Sequence, residues 1–493
     1  MIKSDYPNIQ DVYDLMKKPP SASDKKRLEK AYNFAKQAHE GQKRANGDPY
    51  FYHAFEVAKN LADFGMDSTT IIAGFLHDTI EDTSVTEDEV DNQFGSEVLF
   101  LVNGVTKLGT LKYKGAERHV ESLRKFFVAM AADSRVIIIK LGDRLHNLKT
   151  LGFIKDRPDK QKRIALESIE IHAPLANRLG MWKLKSEIED LAFPFAYPDE
   201  YKQVQSLLKQ KSHTTQKYLE QVYKSLRKDL AKQNIEVDKA SYRIKGVYSL
   251  YKKLKKKDMD IDKIYDIVAL RVIVPTVEDC YRVLGTVHSL WRPLPGRIKD
   301  FIAVPKPNGY QSIHTTIFTG NGGIAEIQIR TREMHQEAEY GIASHFAYKK
   351  KKYEKKINSS TQWIPELSDL QDSISNPDHF IENLRLDFFN KRIFVFTPNG
   401  DVIDLPEDSS AIDFAFSVHT DIGMHATAAS INGKNSKLET KLKNGDIVRI
   451  ETKKSAVPSA KWLEFVKTTL AKRQIKNYLG DNSLMNKFMN RFK

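Results

Sequence analysis

At 493 residues the chain is too long for one hydrophobic core, and ordinary domain sizes predict about three domains. Its 78 Lys and Arg outnumber 64 Asp and Glu, and the formal net charge of +14 favours polyanionic partners such as nucleotides, RNA or an anionic surface. A single cysteine, Cys280, excludes an intramolecular disulfide framework and a thiolate zinc cluster and fits a reducing compartment; no apolar run approaches membrane-spanning length, and Met1-Ile2-Lys3-Ser4-Asp5 lacks the apolar core of a signal peptide, so the expected location is the cytoplasm with no membrane partner.

Residues 1–200 read as almost purely helical. Leu28, Ala31, Tyr32 and Ala35 recur at helical spacing, as do Ala54, Val57, Ala58 and Leu61. Val136-Ile137-Ile138-Ile139 fits a buried strand or a buried helix, and helix is favoured. A long helix is expected across Val204, Leu207, Leu208, Tyr218, Val222 and Leu226, connecting to a second domain over residues 201–348. There the texture changes to β-branched runs broken by Pro and Gly. Residues 267–274 read as a buried strand. Residues 324–329 alternate, placing Glu326, Gln328 and Arg330 on an active-site face and Ala325, Ile327 and Ile329 on a packing face. Lys349 to Lys352, Lys355 and Lys356 open a basic and polar linker over residues 349–390. A small β-rich unit follows over residues 391–454, its first hairpin turning at Pro398-Asn399-Gly400. Residues 455–493 read as the start of a helical region.

Chemistry concentrates in two places. In the first, His53, His77, Asp78 and Asp143 offer imidazole nitrogen and carboxylate oxygen, a set suited to Mn, Fe or Zn that leaves positions open for water and substrate. A bound divalent ion lowers the pKa of its water and generates hydroxide near neutral pH. Glu81 and Asp82 follow Asp78 by three and four residues, share a helix face with it, and suit proton transfer better than metal binding. Nearby, Gly41-Gln42-Lys43-Arg44 ends a helix in a turn that presents two cations.

The second place contains what phosphoryl transfer requires: carboxylates for a divalent ion, and cations around an oligophosphate. Asp266 and Glu326 supply the carboxylates. Arg243, Lys245, Lys252, Lys253, Arg271, Arg297, Lys299 and Lys306 supply the charge, and Tyr310 a flat surface for a guanine. No GxxxxGK[ST] loop occurs, which argues against a P-loop site.

The order His53, His77-Asp78, Asp143 is that of the HD phosphohydrolase superfamily. Ala38 through Arg44 to Pro49-Tyr50, with His77-Asp78-Thr79-Ile80-Glu81-Asp82, Val105-Thr106-Lys107-Leu108 and Arg144-Leu145-His146-Asn147-Leu148-Lys149-Thr150, resembles the hydrolase domain of the RelA/SpoT homologue family, which makes and degrades the alarmones ppGpp and pppGpp. Arg243-Ile244-Lys245 with Ser249, Tyr265-Asp266, His288, Trp291, Lys306-Pro307-Asn308-Gly309-Tyr310 through His314, and Glu326-Ile327-Gln328-Ile329-Arg330-Thr331 resembles its synthetase domain. The resemblance implies an all-α HD hydrolase domain, a mixed α/β, nucleotidyltransferase-like synthetase domain and, further on, a β-grasp domain: a multidomain α and α+β protein. It implies that His53, His77, Asp78 and Asp143 hold Mn2+ while Glu81 and Asp82 assist attack on the 3′-pyrophosphate, with Arg44, Asn147, Thr150 and Lys160 facing the nucleotide. Ala45-Asn46 replaces the long side chain that many members place over the base, so the base is expected to be bound more weakly or held differently here. In the synthetase, Asp266 and Glu326 would bind Mg2+, and Glu326 would also activate the 3′-hydroxyl of GDP or GTP. Arg243 and Arg271 would hold the adenine nucleotide of ATP, Lys245, Lys253, Lys299 and Lys306 its phosphates, with Ser249 and Gln328 in the same pocket. Tyr310 would stack on the acceptor guanine beside Asn308 and His314. Arg297-Ile298-Lys299-Asp300 is similar to the basic variant found in bifunctional members.

Val418-His419-Thr420-Asp421-Ile422-Gly423 and Leu442-Lys443-Asn444-Gly445-Asp446 resemble the TGS domain, which in the family reads the end of uncharged tRNA on the ribosome; His419 matches its RNA-contacting histidine. Long members continue into further regulatory domains, so weak or absent ribosomal activation is expected of the chain as given. Two rivals remain at this level: an HD-type nucleotide phosphohydrolase with a regulatory nucleotide-binding domain, and a tRNA- or ribosome-associated sensor that has lost catalysis. The second would lack His77-Asp78, Asp266 or Glu326, and all are present.

Overall fold

Small side chains decide how the first helices cross. The computed structural model describes residues 7–106, 132–264, 266–306, 308–319, 323–346 and 392–489, which fall into two compact units, residues 7–346 and 392–489. The expected linker, Lys107-Leu108, Tyr265 and Pro307 lie outside the described residues. The first unit opens with α1 (Gln10–Leu15), α2 (Ala22–Ala38), α3 (Phe51–Phe64), α4 (Ser68–Leu76), α5 (Thr79–Asp82), α6 (Glu87–Phe94), α7 (Ser96–Thr106) and α8 (Arg135–Lys149). Ser21, Asp67 and Thr86 start α2, α4 and α6 by accepting a backbone N–H of the first turn. Leu61 of α3 fits between two glycines: a Cβ on Gly74 of α4 would lie 2.4 Å from its Cδ1, and one on Gly142 of α8 3.5 Å from its Cδ2. A side chain at Gly74 would drive Leu61 away and wedge α3 from α4, whereas the contact at Gly142 is an ordinary van der Waals one. Val136 to Ile139 lie in α8, as favoured, and all four are fully buried, because α8 packs against α3, α4, α7 and a later helix.

After α9 (Pro158–Glu167), a π-helical turn (Ser168–His172) and α10 (Ala173–Arg178) comes α11 (Trp182–Ala196), which packs on both α8 and the elements beyond it; the long helix is α12 (Pro198–Lys232). A five-stranded sheet follows, built from β1 (Lys239–Ile244), β2 (Val268–Val274), β3 (Lys299–Asp300), β4 (Ile313–Phe318) and β5 (Ile324–Thr331) in the order β1-β2-β5-β4-β3, with β2 and β5 parallel and the other neighbours antiparallel. Helices α13 (Val247–Lys255), α14 (Val277–Leu290), α15 (Arg332–Tyr340) and α16 (Ala343–Phe346) complete the unit. The β5 alternation sorts side chains as expected, but the supposed open face is not open along its length: Gln328 is 4% and Arg330 1% exposed. Helix α15 accounts for this, since its Glu339 reaches back to Arg330, with Oε1 3.5 Å from Nη2.

Helix α11 ties the helical half to α13, the helix that follows β1. Its Asp190 accepts the backbone N–H of Tyr248 at 3.0 Å, and its Glu189 accepts from Lys252 at 2.7 Å and Ser249 at 3.2 Å. Just before α11, Leu179 O accepts the N–H of Ile342 at 2.8 Å, so close to Gly341 (φ +56°) that a Cβ there would lie 2.1 Å from the same oxygen. Among the described residues no helix is long and apolar enough to cross a membrane.

The second unit pairs β6 (Arg392–Phe396) with β7 (Val402–Pro406) around the expected turn, then α17 (Ala411–Val418), α18 (Thr420–Met424), β8 (Ala426–Ile431), β9 (Lys434–Ser436), β10 (Val448–Thr452) and α19 (Thr469–Met489). Ala471 and Ile475 of α19 share a core with Ile412, Ala415 and Phe416 of α17, so the helical end of the chain completes this unit's packing. Asp413 fastens it. Fully buried, it accepts from Ser410 N and Oγ, each at 2.7 Å, and from Lys467 N, Thr468 N and Thr468 Oγ1 at 2.8 to 2.9 Å. Asp413→Ala strands the amides of Ser410, Lys467 and Thr468, the first and last of them buried, and is expected to cost this unit about 3 kcal/mol. Hydrogen exchange of the Lys467 and Thr468 amides should accelerate by roughly 100-fold; unchanged protection would contradict the clamp.

Candidate metal centre and nucleotide-binding face

The crossing of α3, α4 and α8 delivers His53, His77 and Asp143 to one point. One ligand atom from each lies within 4.8 Å of the others, and all three residues are buried. Asp78 joins them, its Oδ2 3.1 Å from His77 Nε2 and 3.4 Å from His53 Nε2, while Asp143 Oδ1 is 3.3 Å from His53 Nε2. His77 Nδ1 lies 2.9 Å from Gly74 O, which can only accept, so Nδ1 carries a proton and Nε2 faces the carboxylates. Burial opposes ionisation of Asp78 and Asp143, yet the charge of His77 holds the first, and that of Lys140 the second, well below the usual carboxylate range. Burial likewise works against a charged His77, but Asp78 and Asp143 raise it to about 9. Two imidazoles and two carboxylates converging in a buried spot suit a divalent cation, which would replace the proton on His77.

Around this centre the structure adds residues that spacing alone does not reveal. The Tyr50 hydroxyl lies 2.8 Å from both Asp78 Oδ2 and Asp82 Oδ2, and burial plus those two carboxylates push its pKa up. His39 stacks on the Tyr50 ring with centroids 4.8 Å apart. Lys140 pairs with Asp143 at 2.9 Å, an i,i+3 contact that the helical pattern of α8 could have signalled. Glu81 is raised by burial, then by Asp78 and Asp82. Of the residues expected to face a nucleotide, Arg44 donates to Asn147 Oδ1 at 2.7 Å and lies 3.0 Å from His146 Nδ1; Thr150 donates back to His146 O at 3.1 Å; Lys160 is exposed on α9.

The second constellation lies on the sheet. Register puts Arg243, Ala269, Glu326 and Thr316 in one row across a single face, and Ser241, Arg271, Gln328, His314 and Lys299 in the next. His288 instead meets Thr315, at 2.9 Å, on the opposite face. Asp266, two residues ahead of β2, accepts from both Lys245 and Lys253; burial resists its ionisation, but these ammoniums lower it to about 2. Lys245 is lowered to about 8 by burial, which outweighs the Asp266 charge. Glu326 meets His314 Nδ1 at 3.2 Å and accepts from Gln328 Nε2 at 2.8 Å. Ser249 is held by Glu189, and Arg271 donates to Glu339 at 3.1 Å.

Tyr310 does not offer the open surface expected of it. It is 7% exposed, its hydroxyl 2.8 Å from His314 Nε2 and its ring packed near Trp182 and Phe301 with centroids 5.6 and 6.0 Å away. Lys306 Nζ sits over all three rings at 4.6 to 5.1 Å, and burial, then Lys299 and Arg243, lower it to about 8. Asn308 donates to Asn177 O at 3.0 Å. Trp182 begins α11, far from Tyr310 in sequence, and no pattern in the chain predicts their contact. In the second unit His419 is exposed, and its Nδ1 accepts the N–H of Asp421 at 3.2 Å as the cap of α18.

Three family profiles match the chain: an HD domain at residues 31–182, the region found in RelA/SpoT proteins at residues 242–353, and a TGS domain at residues 393–452. A guanosine-3′,5′-bis(diphosphate) 3′-pyrophosphohydrolase of Aquifex aeolicus (strain VF5) is 46% identical over 453 residues, covering 92% of this chain and 64% of that protein. A GTP pyrophosphokinase of Myxococcus xanthus is 44% identical over 457 residues, covering 92% and 60%. A probable guanosine-3′,5′-bis(diphosphate) 3′-pyrophosphohydrolase of Synechocystis sp. (strain ATCC 27184 / PCC 6803 / Kazusa) is 44% identical over 455 residues, covering 91% and 60%. The chain thus spans about three fifths of the length of these curated relatives.

Proposed function

We propose that the chain is a member of the RelA/SpoT family, whose three domain profiles it matches in order, and a bifunctional, cytoplasmic alarmone enzyme of the stringent response. One activity transfers pyrophosphate from ATP to the 3′-hydroxyl of GDP or GTP, giving ppGpp or pppGpp; the other hydrolyses these products to GDP or GTP and pyrophosphate. The observation that carries this reading is the separation of two constellations within one unit. His53, His77 and Asp143 gather ligand atoms within 4.8 Å among the helices, and Glu326 and its cations line a sheet face.

In the hydrolase reading, His53, His77, Asp78 and Asp143 would hold a divalent ion, Mn2+, whose chemistry would be to lower the pKa of water towards neutrality. Glu81, with its raised proton affinity, accepts a proton from the attacking water, and Tyr50 keeps Asp82 beside Asp78 for the next transfer. Arg44, Asn147, Thr150 and Lys160 bind and orient the nucleotide. In the synthetase reading, Asp266 and Glu326 would hold Mg2+, which would supply positive charge to the transferring pyrophosphoryl group. Lys245 and Lys253 then turn from Asp266 to the phosphates of ATP, joined by Lys299 and Lys306; Arg243, Ser249 and Arg271 hold the adenine nucleotide. Glu326, set by His314 and Gln328, accepts the proton of the 3′-hydroxyl. For Tyr310 to stack on guanine beside Asn308, Trp182 must withdraw, so α11 is the element through which the two centres would sense each other.

Incubating the chain with labelled ATP and GDP, with Mg2+ or Mn2+, and following ppGpp formation and decay tests the reading. Decay without formation would leave an HD phosphohydrolase with a regulatory nucleotide site. Neither would leave the tRNA or ribosome sensor.

We assign the surface around His419 to uncharged tRNA. With Nδ1 used in the α18 cap, Nε2 carries the proton and offers a donor and a flat ring to an unstacked base. His419→Ala is expected to weaken binding of uncharged tRNA by about tenfold, read by filter binding at low salt. Equal affinity would remove His419 from the contact.

A further inference from the structure

Arg44 reaches the metal centre without being one of its ligands. Its two terminal nitrogens take adjacent residues of α8: Nη1 lies 3.0 Å from His146 Nδ1, and Nη2 donates to Asn147 Oδ1 at 2.7 Å. Each of those residues then touches a ligand. His146 Nδ1 is 2.7 Å from His53 Nδ1, and Asn147 Nδ2 donates to Asp143 Oδ1.

A guanidinium has donors and no acceptor, which fixes the direction of every bond in this array. His146 Nδ1 must present a lone pair to Arg44. It cannot then donate to His53, so His53 Nδ1 carries the proton and His53 Nε2 is the lone pair, aimed at the point where Asp78 Oδ2 and Asp143 Oδ1 lie 3.4 and 3.3 Å away. By the same logic the amide of Asn147 turns its oxygen to Arg44 and its nitrogen to Asp143. The opposite tautomer of His53 would point an N–H where a metal needs a lone pair. The surroundings leave little freedom to rearrange: His53 is 1% and His146 9% exposed, and the far carboxylate oxygen of Asp143 is held by Lys140 at 2.9 Å.

We propose that Arg44 is a positioning residue of the metal centre, setting the tautomer of His53 through His146 and the orientation of Asp143 through Asn147, besides any contact with nucleotide. The inference rests on the divalent-ion reading given above. Arg44 is a cation near a cation site, so if it acted only through its charge, or only on nucleotide, removing it would strengthen Mn2+ binding or leave it unchanged. If it orders the ligands, removing it weakens Mn2+ binding, by about 10- to 100-fold as for other partners of metal ligands.

Calorimetric titration of the full chain with Mn2+ alone, no nucleotide present, separates these outcomes. Arg44→Ala is expected to bind about 10- to 100-fold more weakly than the parent. Arg44→Lys, which keeps the charge but loses the two-pronged planar donor, is expected to weaken binding as well. Lys149→Ala, which removes an exposed cation from the same helix, should bind as the parent does. Arg44→Ala and Asn147→Ala combined should cost less than the sum of the two, since they cut one path. Circular dichroism of each variant verifies the fold, and Arg44→Lys serves as the readout if the alanine variant does not fold. Parent-like or tighter Mn2+ binding by the folded variants overturns the proposal and leaves the metal centre standing. A parent chain that takes up no Mn2+ overturns the metal centre itself.

Discussion

Asp78→Ala is expected to abolish (p)ppGpp hydrolysis, to below about 1% of the parent rate, while synthesis stays within about twofold. Asp78 is the carboxylate shared by both ligand imidazoles, 3.1 Å from His77 Nε2 and 3.4 Å from His53 Nε2. It also anchors the Tyr50 hydroxyl that holds Asp82. Alanine therefore removes a ligand charge and releases the proton-transfer group together. The rest of the site is not expected to collapse, since α3, α4 and α8 are held by the apolar contacts of Leu61, Gly74 and Gly142. Both rates are measured in one preparation, with a chelator added to the parent to define the metal-free floor. Metal-dependent hydrolysis persisting well above that floor would remove Asp78 from the catalytic set.

Asp266→Asn is expected to give the reverse pattern, with synthesis falling by about 100- to 1,000-fold and hydrolysis unchanged. The substitution keeps the shape of the side chain and deletes its charge. In the structure that charge is matched by Lys245 and Lys253 at once. In the proposed reaction it holds Mg2+ while those lysines take the phosphates. An amide is a poor magnesium ligand, and it also leaves two nearby ammoniums repelling each other. The proposed hydrolase centre lies where α3, α4 and α8 cross and shares none of these groups. Equal loss of both activities in a variant folded by circular dichroism would argue against separate sites; undiminished synthesis would show that Asp266 does not hold the metal.

Much of this protein was legible in its residues because the chemistry is local in sequence. His77-Asp78 with Glu81-Asp82 lies on one short stretch, Asp143 sits within a recognisable helix, and Glu326-Ile327-Gln328 alternates as a strand must. Helix and strand periods follow from backbone geometry, so the helical first half, the β2 and β5 strands and the Pro398-Asn399-Gly400 hairpin could be read from spacing alone. The order of the motifs pointed to the family.

What depended on tertiary structure was every relation between distant segments. That Leu61 seats between Gly74 and Gly142, and so brings His53 to His77 and Asp143, is a matter of side-chain volume where three helices cross. That Arg44 bonds two α8 residues, that Trp182 covers Tyr310, and that α15 closes over Arg330 are likewise contacts between elements far apart in the chain. Periodicity tells which face of an element is apolar. It carries no record of which other element will cover that face, and here that covering decides which charges meet, which proton a histidine keeps and which aromatic surface stays open.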